Sequence, residues 1–363
     1  MSSRIDEEAP PSGASIKKIA QACAAFLGLA SSLLALGAAS ATHPDDLRVY
    51  FVDVEGGQAT LFVTPEKKSL LIDTGWAGNE GRDADRIVAA AKLAGISRIN
   101  YVLITHYHAD HVGGVPQLAA RIPVDAFIDH GENRESGDAD TTKGWQAYQA
   151  LLAGNHYQRI VKKPGDTLSI GNLRLTIVSG DGATISTPLP NAGAINPYCK
   201  DTEQRATDQT ENPRSLGMLL TSGKLRILDL GDLTWDKERD LMCPINKLGH
   251  VDVYIVSHHG WQQSGSPALV WGIDARVAIM DNGAKKGGSP PSWDIIEKSP
   301  HLRDLWQLHY SEEGAAAHNV AATFIANSRS SGDGHYLILT GRSDGSFAVF
   351  NSRTQASKSY SVD

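Results

Sequence analysis

Thr105-His106-Tyr107-His108-Ala109-Asp110-His111, closed by Val112-Gly113-Gly114, follows directly on the apolar run Ile99-Asn100-Tyr101-Val102-Leu103-Ile104. The run reads as a buried strand and the histidine segment as the loop at its end. Three imidazoles and one carboxylate fall between His106 and His111. Neighbouring imidazoles gain nothing from one another unless a cation binds them. In an extended segment His106 and His108 point the same way and reach one ion, while Asp110 and His111 turn towards a second. Nitrogen and carboxylate donors suit zinc, and manganese or iron can replace it. A surface histidine tract would not sit between a buried strand and a glycine pair.

The chain around this segment alternates strands and helices. Leu47 to Val54 reads as a strand that turns at Glu55-Gly56-Gly57 into Ala59 to Val63, and Ser69 to Ile72 follows after Pro65 to Lys68. Asp83 to Leu93 has helical spacing with Gly95 as its stop signal. Further strands are expected at 126–128, 173–178, 216–220, 226–229 and 251–256, and Asp344-Gly345 joins a hairpin of 336–339 with 346–350. The polar, Pro- and Asn-rich stretch from Asp181 to Pro213 reads as a long loop of the kind that borders sites. No repeat and no linker divides the chain. The expectation is one α/β domain over 42–363, core about 47–351, built as two sheets covered by helices.

Composition narrows the function. Of 363 residues, 41% are hydrophobic and 21% charged, which supports a buried core, and 35 glycines and 16 prolines favour many turns over a helical bundle. A net charge of −7 gives no field to gather nucleic acid, so a processive nuclease with a basic groove is not expected. Three cysteines cannot form a disulfide scaffold or a four-thiolate zinc site. At the N-terminus, Lys17-Lys18 precede an uncharged stretch from Ile19 to Thr42 that ends in Ala39-Ser40-Ala41. Basic segment, apolar segment and small-residue site predict a signal peptide over 1–41 and a secreted or periplasmic protein; the alternative is an uncleaved anchor. Membrane contact is expected only there. In an oxidising compartment Cys199 and Cys243 would be free to pair.

The pattern H-x-H-x-D-H after a hydrophobic strand resembles the signature of the metallo-β-lactamase-fold hydrolases. Leu71-Ile72-Asp73-Thr74-Gly75, Leu230-Gly231-Asp232 and Ser257-His258-His259-Gly260 resemble the accompanying motifs, in the same order. Residues 51–59, Glu211 to Leu216 and Ser264 look most like the ComEC-type branch, which includes the hydrolase-like domain of DNA-uptake channels; the channel's membrane segments are missing here. The resemblance implies a four-layer αββα sandwich and two divalent ions, zinc by preference. It implies that His106 and His108 serve one ion, Asp110, His111 and one of His258 or His259 the other, that Asp232 bridges them, and that Asp73 orients the histidine loop from behind. Most such chains carry a further histidine ligand where this one has Glu211, so Glu211 is the candidate replacement. A Gly-His-Pro common in that branch is here Gly288-Ser289-Pro290.

Adjacent residues of an extended chain face opposite sides, so one of His258 and His259 is expected to bind metal and the other to face substrate or core. Position at the strand end favours His258 as ligand and His259 as the catalytic neighbour. Asp110 is the candidate proton carrier. His130, at a strand end, and the pair Lys285-Lys286 are candidate substrate contacts. The implied chemistry is hydrolysis by activated water, with a phosphodiester or phosphoryl ester as favoured substrate and a β-lactam or lactone as alternative. A non-catalytic metal-binding protein of the same fold is a third reading, disfavoured by the complete ligand set.

Overall fold

The computed structural model describes residues 43, 45–155, 157–328 and 332–361. The segment read as a signal peptide lies outside them. Among the described residues no helix is long and apolar enough to cross a membrane.

The chain first lays down β1 (Leu47–Phe51), β2 (Thr60–Val63), β3 (Ser69–Ile72), β4 (Ile99–Leu103), β5 (Val124–Asp129) and β6 (Gln158–Val161). It then builds a second sheet from β7 (Thr167–Ile170), β8 (Leu173–Gly180), β9 (Ala183–Thr184), β10 (Gly217–Ser222), β11 (Leu225–Asp229), β12 (Val253–Ile255), β13 (Val277–Met280), β14 (Asp304–His309) and β15 (Ile325–Asn327). β16 (Leu337–Gly341), β17 (Phe347–Asn351) and β18 (Ser357–Tyr360) return to the first sheet, where β16 pairs with β1. The orders are β18-β17-β16-β1-β2-β3-β4-β5-β6 and β15-β14-β13-β12-β11-β10-β8-β7, with β9 on β8.

Period-2 burial explains the layering. In β1, Val49 and Phe51 enter the core between the sheets while Tyr50 faces the outer helices; in β3, Leu70 and Ile72 point inward and Leu71 outward. Both faces are buried, which is why these strands read as continuous apolar runs. α1 (Arg82–Leu93), α2 (Ala109–Val112), α3 (Val115–Ala119) and α4 (Ala139–Asn155) follow strands of the first sheet, and α1 and α4 cover it through Ile87, Ala91, Trp145 and Tyr148. α5 (Trp235–Met242), α6 (Pro267–Val270) and α7 (Pro290–Glu297) cover the second through Leu241, Leu269 and Ile296. The result is the expected four-layer αββα sandwich.

Each sheet has a parallel half, β3 to β6 in one and β11 to β15 in the other. Loops that leave the C-terminal ends of parallel strands are where such sheets present ligands. The histidine loop leaves β4, Asp232 leaves β11 and the His258-His259 turn leaves β12.

Two features depart from the sequence expectation. The core extends past 351, because β18 pairs with β17 and buried Trp306 donates its indole N–H to the Tyr360 hydroxyl at 2.9 Å. The 181–213 stretch is not all loop: it holds β9 and two single-turn 3-10 segments, Pro197–Asp201 and Asn212–Arg214. It is also stapled to the end of α5 by a Cys199–Cys243 disulfide, with Cα atoms 5.7 Å apart.

Candidate metal centre

Asp110 and His111 lie on the single turn of α2, which begins as soon as the chain leaves His108. That change from extended to helical backbone aims the two pairs differently. The loop seats tightly: a side chain on Gly57 would strike the Asp110 carbonyl, and one on Gly114 the Thr74 carbonyl. Glycine is required at both for lack of space.

His106 Nε2 and His108 Nδ1 are 3.0 Å apart, and with an Asp232 oxygen they form one group of candidate ligand atoms. Asp110, His111, Asp232 and His259 form the second, every one of them buried. Within each group the donor atoms lie within 4.8 Å of one another. Asp232 belongs to both. Its Oδ2 is 3.3 Å from His111 Nε2, and His259 Nε2 is 3.1 Å from Asp110 Oδ2 and 3.2 Å from His111 Nε2.

Asp73 stands behind the loop, fully buried at the end of β3. Its Oδ1 accepts the Thr105 N–H at 2.8 Å, and its Oδ2 accepts the Thr105 hydroxyl at 2.7 Å and lies 2.7 Å from His111 Nδ1. The Thr105 hydroxyl in turn lies 3.1 Å from His106 Nδ1. One carboxylate thereby orients a histidine of each group and leaves Nε2 of both facing the centre.

The electrostatics are those of a site built for a cation. Burial favours protonated Asp110, but Lys286 and His111 outweigh it and hold the carboxyl well below the usual range. Burial acts likewise on Asp232 and is outweighed by His258, His111 and His259. His111 is driven well above its ordinary value despite burial, because Asp232, Asp110 and Asp73 surround it. His259 is raised to about 9 against its burial by Asp232 and Asp281, whereas burial takes His258 down to about 4. Protons and one lysine thus balance two buried carboxylates, and Asp232 Oδ1 and His259 Nδ1 are buried with no hydrogen-bond partner. This donor set and its charge fit divalent ions.

The His258-His259 segment is not extended, and the expected opposition of the two rings does not hold. Both residues have φ near 54° and Gly260 has φ 78°, so the turn is left-handed through consecutive positions. Two non-glycine residues in that region carry strain of roughly 1–2 kcal/mol each. The turn brings both imidazoles to Asp232, His258 Nε2 at 3.3 Å from Oδ2 and His259 Nε2 at 3.6 Å from Oδ1. His259, not His258, joins Asp110 and His111; His258 Nδ1 instead meets the Ser264 hydroxyl at 3.3 Å.

Glu211 belongs to neither group. Its Oε2 lies 3.0 Å from His130 Nε2 and its Oε1 accepts the Arg134 N–H at 2.9 Å, so its carboxylate faces the β5 loop. His130 is therefore spent on Glu211, and with a fully buried side chain it does not line an open site. Lys286 reaches the centre: its ammonium pairs with Asp110 Oδ2 and lies 4.9 Å from the centroid of a Trp76 ring. Lys285 is exposed. Two carboxylates beside the ligands escaped the sequence reading. Glu135 Oε2 is 3.0 Å from His108 Nε2, and Asp281 Oδ1 is 3.4 Å from His259 Nδ1. Asp281 directly follows the end of the parallel strand β13, a position that could have flagged it, whereas Glu135 lies further along the loop after β5 and has no such signal.

Comparison with known proteins agrees with this architecture. Residues 52–202 match the family described as the metallo-β-lactamase superfamily. The hydroxyacylglutathione hydrolase of Rhodopseudomonas palustris strain HaA2 is 29% identical over 92 residues, 25% of this chain and 35% of that protein. An atrochrysone carboxyl ACP thioesterase of Claviceps purpurea strain 20.1 is 34% identical over 88 residues, 24% of this chain and 27% of its own length. The chain thus spans about a third of the length of these curated relatives. Among solved structures, the metallo-β-lactamase fold protein YhfI from Bacillus subtilis aligns over 72% of this chain and 95% of its own, at 15% identity and a TM-score of 0.42. The chain has the metallo-β-lactamase fold.

Proposed function

We propose that the chain is a metal-dependent hydrolase exported from the cytoplasm, with a phosphodiester or phosphoryl ester as its substrate. The observation that carries the reading is the pair of buried donor groups sharing Asp232. Two divalent ions, zinc by preference, would be held by His106, His108 and Asp232 and by Asp110, His111, His259 and Asp232, and would supply Lewis acidity and water activation. The remaining chemistry belongs to the side chains. Asp110, at the centre with one oxygen beside His259, is placed to take and return a proton. His258, with Nδ1 on Ser264 and Nε2 3.3 Å from Asp232 Oδ2, stands beside the centre and is the candidate donor to developing negative charge.

Preference for an anionic ester rests on Lys286. With a cation held by Asp110, the Lys286 ammonium, which pairs with Asp110 beside the Trp76 ring, would be available to an anionic substrate oxygen. The motif likeness to the ComEC-type branch leans the same way. The Cys199–Cys243 disulfide fits the oxidising compartment that the N-terminal segment predicts. The names of the relatives, a hydroxyacylglutathione hydrolase and an atrochrysone carboxyl ACP thioesterase, support a second reading in which a carbonyl substrate such as a thioester, lactone or lactam is opened. Zinc-reconstituted protein assayed in parallel on bis-p-nitrophenyl phosphate, nitrocefin and an acyl-lactone separates the two. Phosphodiester turnover well above the others is expected. Efficient nitrocefin or lactone opening with untouched phosphodiester would replace the first reading by the second.

A further inference from the structure

The Glu211 carboxylate turns away from the ligand cluster, yet its backbone turns back towards it. While Oε1 and Oε2 engage Arg134 N and His130, the Glu211 N–H donates to Glu135 Oε2 at 2.8 Å. That same oxygen is the one 3.0 Å from His108 Nε2. Asn133 closes the turn beneath it, accepting the Glu135 N–H at 2.9 Å and donating to the Glu135 carbonyl at 2.8 Å. The loop after β5 is thus tied down at every step between Glu211 and His108.

The consequence lies in the tautomer of His108. A carboxylate at Nε2 keeps the proton there, which leaves the lone pair on Nδ1. Nδ1 is the atom 3.0 Å from His106 Nε2 in the first donor group. We infer that Glu135 is a positioning residue for His108, and that Glu211 serves the centre by holding Glu135 in place and not by binding an ion. This rests on the reading of His106, His108 and Asp232 as a metal group, not on which bond is cleaved. With Glu211 turned away, that group draws on two imidazoles and a shared carboxylate among the described residues. An ion there would be the more weakly held of the two, and its affinity should be sensitive to the orientation of His108.

The test is metal binding to the full mature chain, stripped of metal and titrated with zinc against a chromophoric chelator, with thermal melting to confirm folding. Glu135→Ala should weaken one of the two binding steps by about tenfold or more, the usual effect of losing a partner behind a metal-bound histidine. Glu135→Gln, whose amide oxygen still accepts both N–H groups, should stay within about threefold of the native chain. Nitrogen-15 shifts of the His108 ring in metal-free protein should report a single tautomer protonated at Nε2, and a mixture in Glu135→Ala; a merely structural role would not move them. Glu211→Gln still accepts from Arg134 N and should keep zinc, whereas a ligand would lose it as fully as in Glu211→Ala. The inference is overturned if Glu135→Ala binds both ions as tightly as the native chain, or if Glu211→Gln and Glu211→Ala lose zinc alike. Zinc bound as expected by every variant, with no phosphoryl ester cleaved, would remove the proposed substrate and support this assignment unchanged.

Discussion

Replacement of Asp73 by asparagine should separate the stability of this fold from its affinity for metal. The side chain is fully buried and meets Thr105 N, Thr105 Oγ1 and His111 Nδ1 at 2.8, 2.7 and 2.7 Å. Asparagine has the same shape and tolerates the φ of 58° found there. Its oxygen would still accept the Thr105 N–H, but its amide would face the Thr105 hydroxyl and His111 Nδ1. His111 must then accept at Nδ1, which moves its proton to Nε2, the atom facing Asp110 and Asp232. The Thr105 hydroxyl, now an acceptor from the amide, turns its proton towards His106 Nδ1 and pushes the same inversion onto that ring. Each inverted ligand costs roughly ten- to a hundredfold in metal affinity. Folding stability should fall by only about 1 kcal/mol, since no buried donor is orphaned. Asp73→Ala differs: it strands three buried donors at about 1–3 kcal/mol each and destabilises the fold as well as the site. Chelator competition gives the zinc affinity and urea unfolding the stability. If folded Asp73→Asn holds zinc within about threefold of the native affinity, tautomer control by Asp73 is refuted.

Lys286→Met should lower kcat/KM for an anionic phosphodiester by about tenfold or more, the loss of one charge-assisted hydrogen bond, while a neutral lactone changes little; equal losses on both would show that the lysine does not read substrate charge. Glu238 is buried and accepts the Gly265 and Ser266 N–H groups at 2.7 Å each, and burial raises it to about 7. A carboxyl whose folded value lies above its unfolded one costs nothing below about pH 4 and costs increasingly as pH rises to 7, on the order of 3 kcal/mol in full. Glu238→Gln should therefore gain stability relative to the native chain between pH 5 and 8, and a difference in unfolding midpoint that is flat across that range would count against it. His259→Ala should lose metal and recover part of its activity in excess zinc, while His258→Ala should keep metal and lose about a hundredfold in turnover that zinc does not restore. Metal content and turnover of the two variants check this, and the reverse pattern would exchange their roles.

How much of this was legible in the chain depends on whether information lay in spacing or in direction. His106, His108, Asp110 and His111 are readable because a strand followed by a helical turn fixes where each side chain points. Asp73 and Asp232 are readable because they end apolar strands. The order of His258 and His259 was hidden by backbone: a left-handed turn at non-glycine residues has no compositional signal, and alternation fails where the chain is not extended. Glu211 differs from the expectation for a related reason: residue type does not say which way a carboxylate faces, and here His130 and Arg134 N take it. Glu135 depends on a contact from a residue 76 positions away, which no local pattern encodes. β13 to β15 were missed, although each is short and buried; β18 has two exposed residues and reads as a polar tail.

The placement of the ligands has a mechanical consequence. His106, His108, Asp110 and His111 follow β4 of the first sheet, whereas Asp232 and His259 follow β11 and β12 of the second. Both donor groups draw on both sheets. An ion bound in either is a bond across the interface whose core includes Leu103, Ile128, Ile227 and Ile255. Separating the sheets then requires releasing metal, so binding energy becomes folding energy, roughly 4 kcal/mol at free zinc a thousandfold above Kd. Metal-free, the same interface holds two buried carboxylates balanced by imidazolium groups and Lys286, charges that cost more to bury than they return when one partner is lost. The left-handed turn at His258 and His259 adds strain on the second-sheet side. An ion bound at the centre would therefore act as a clamp across the sandwich, because each donor group takes side chains from both sheets.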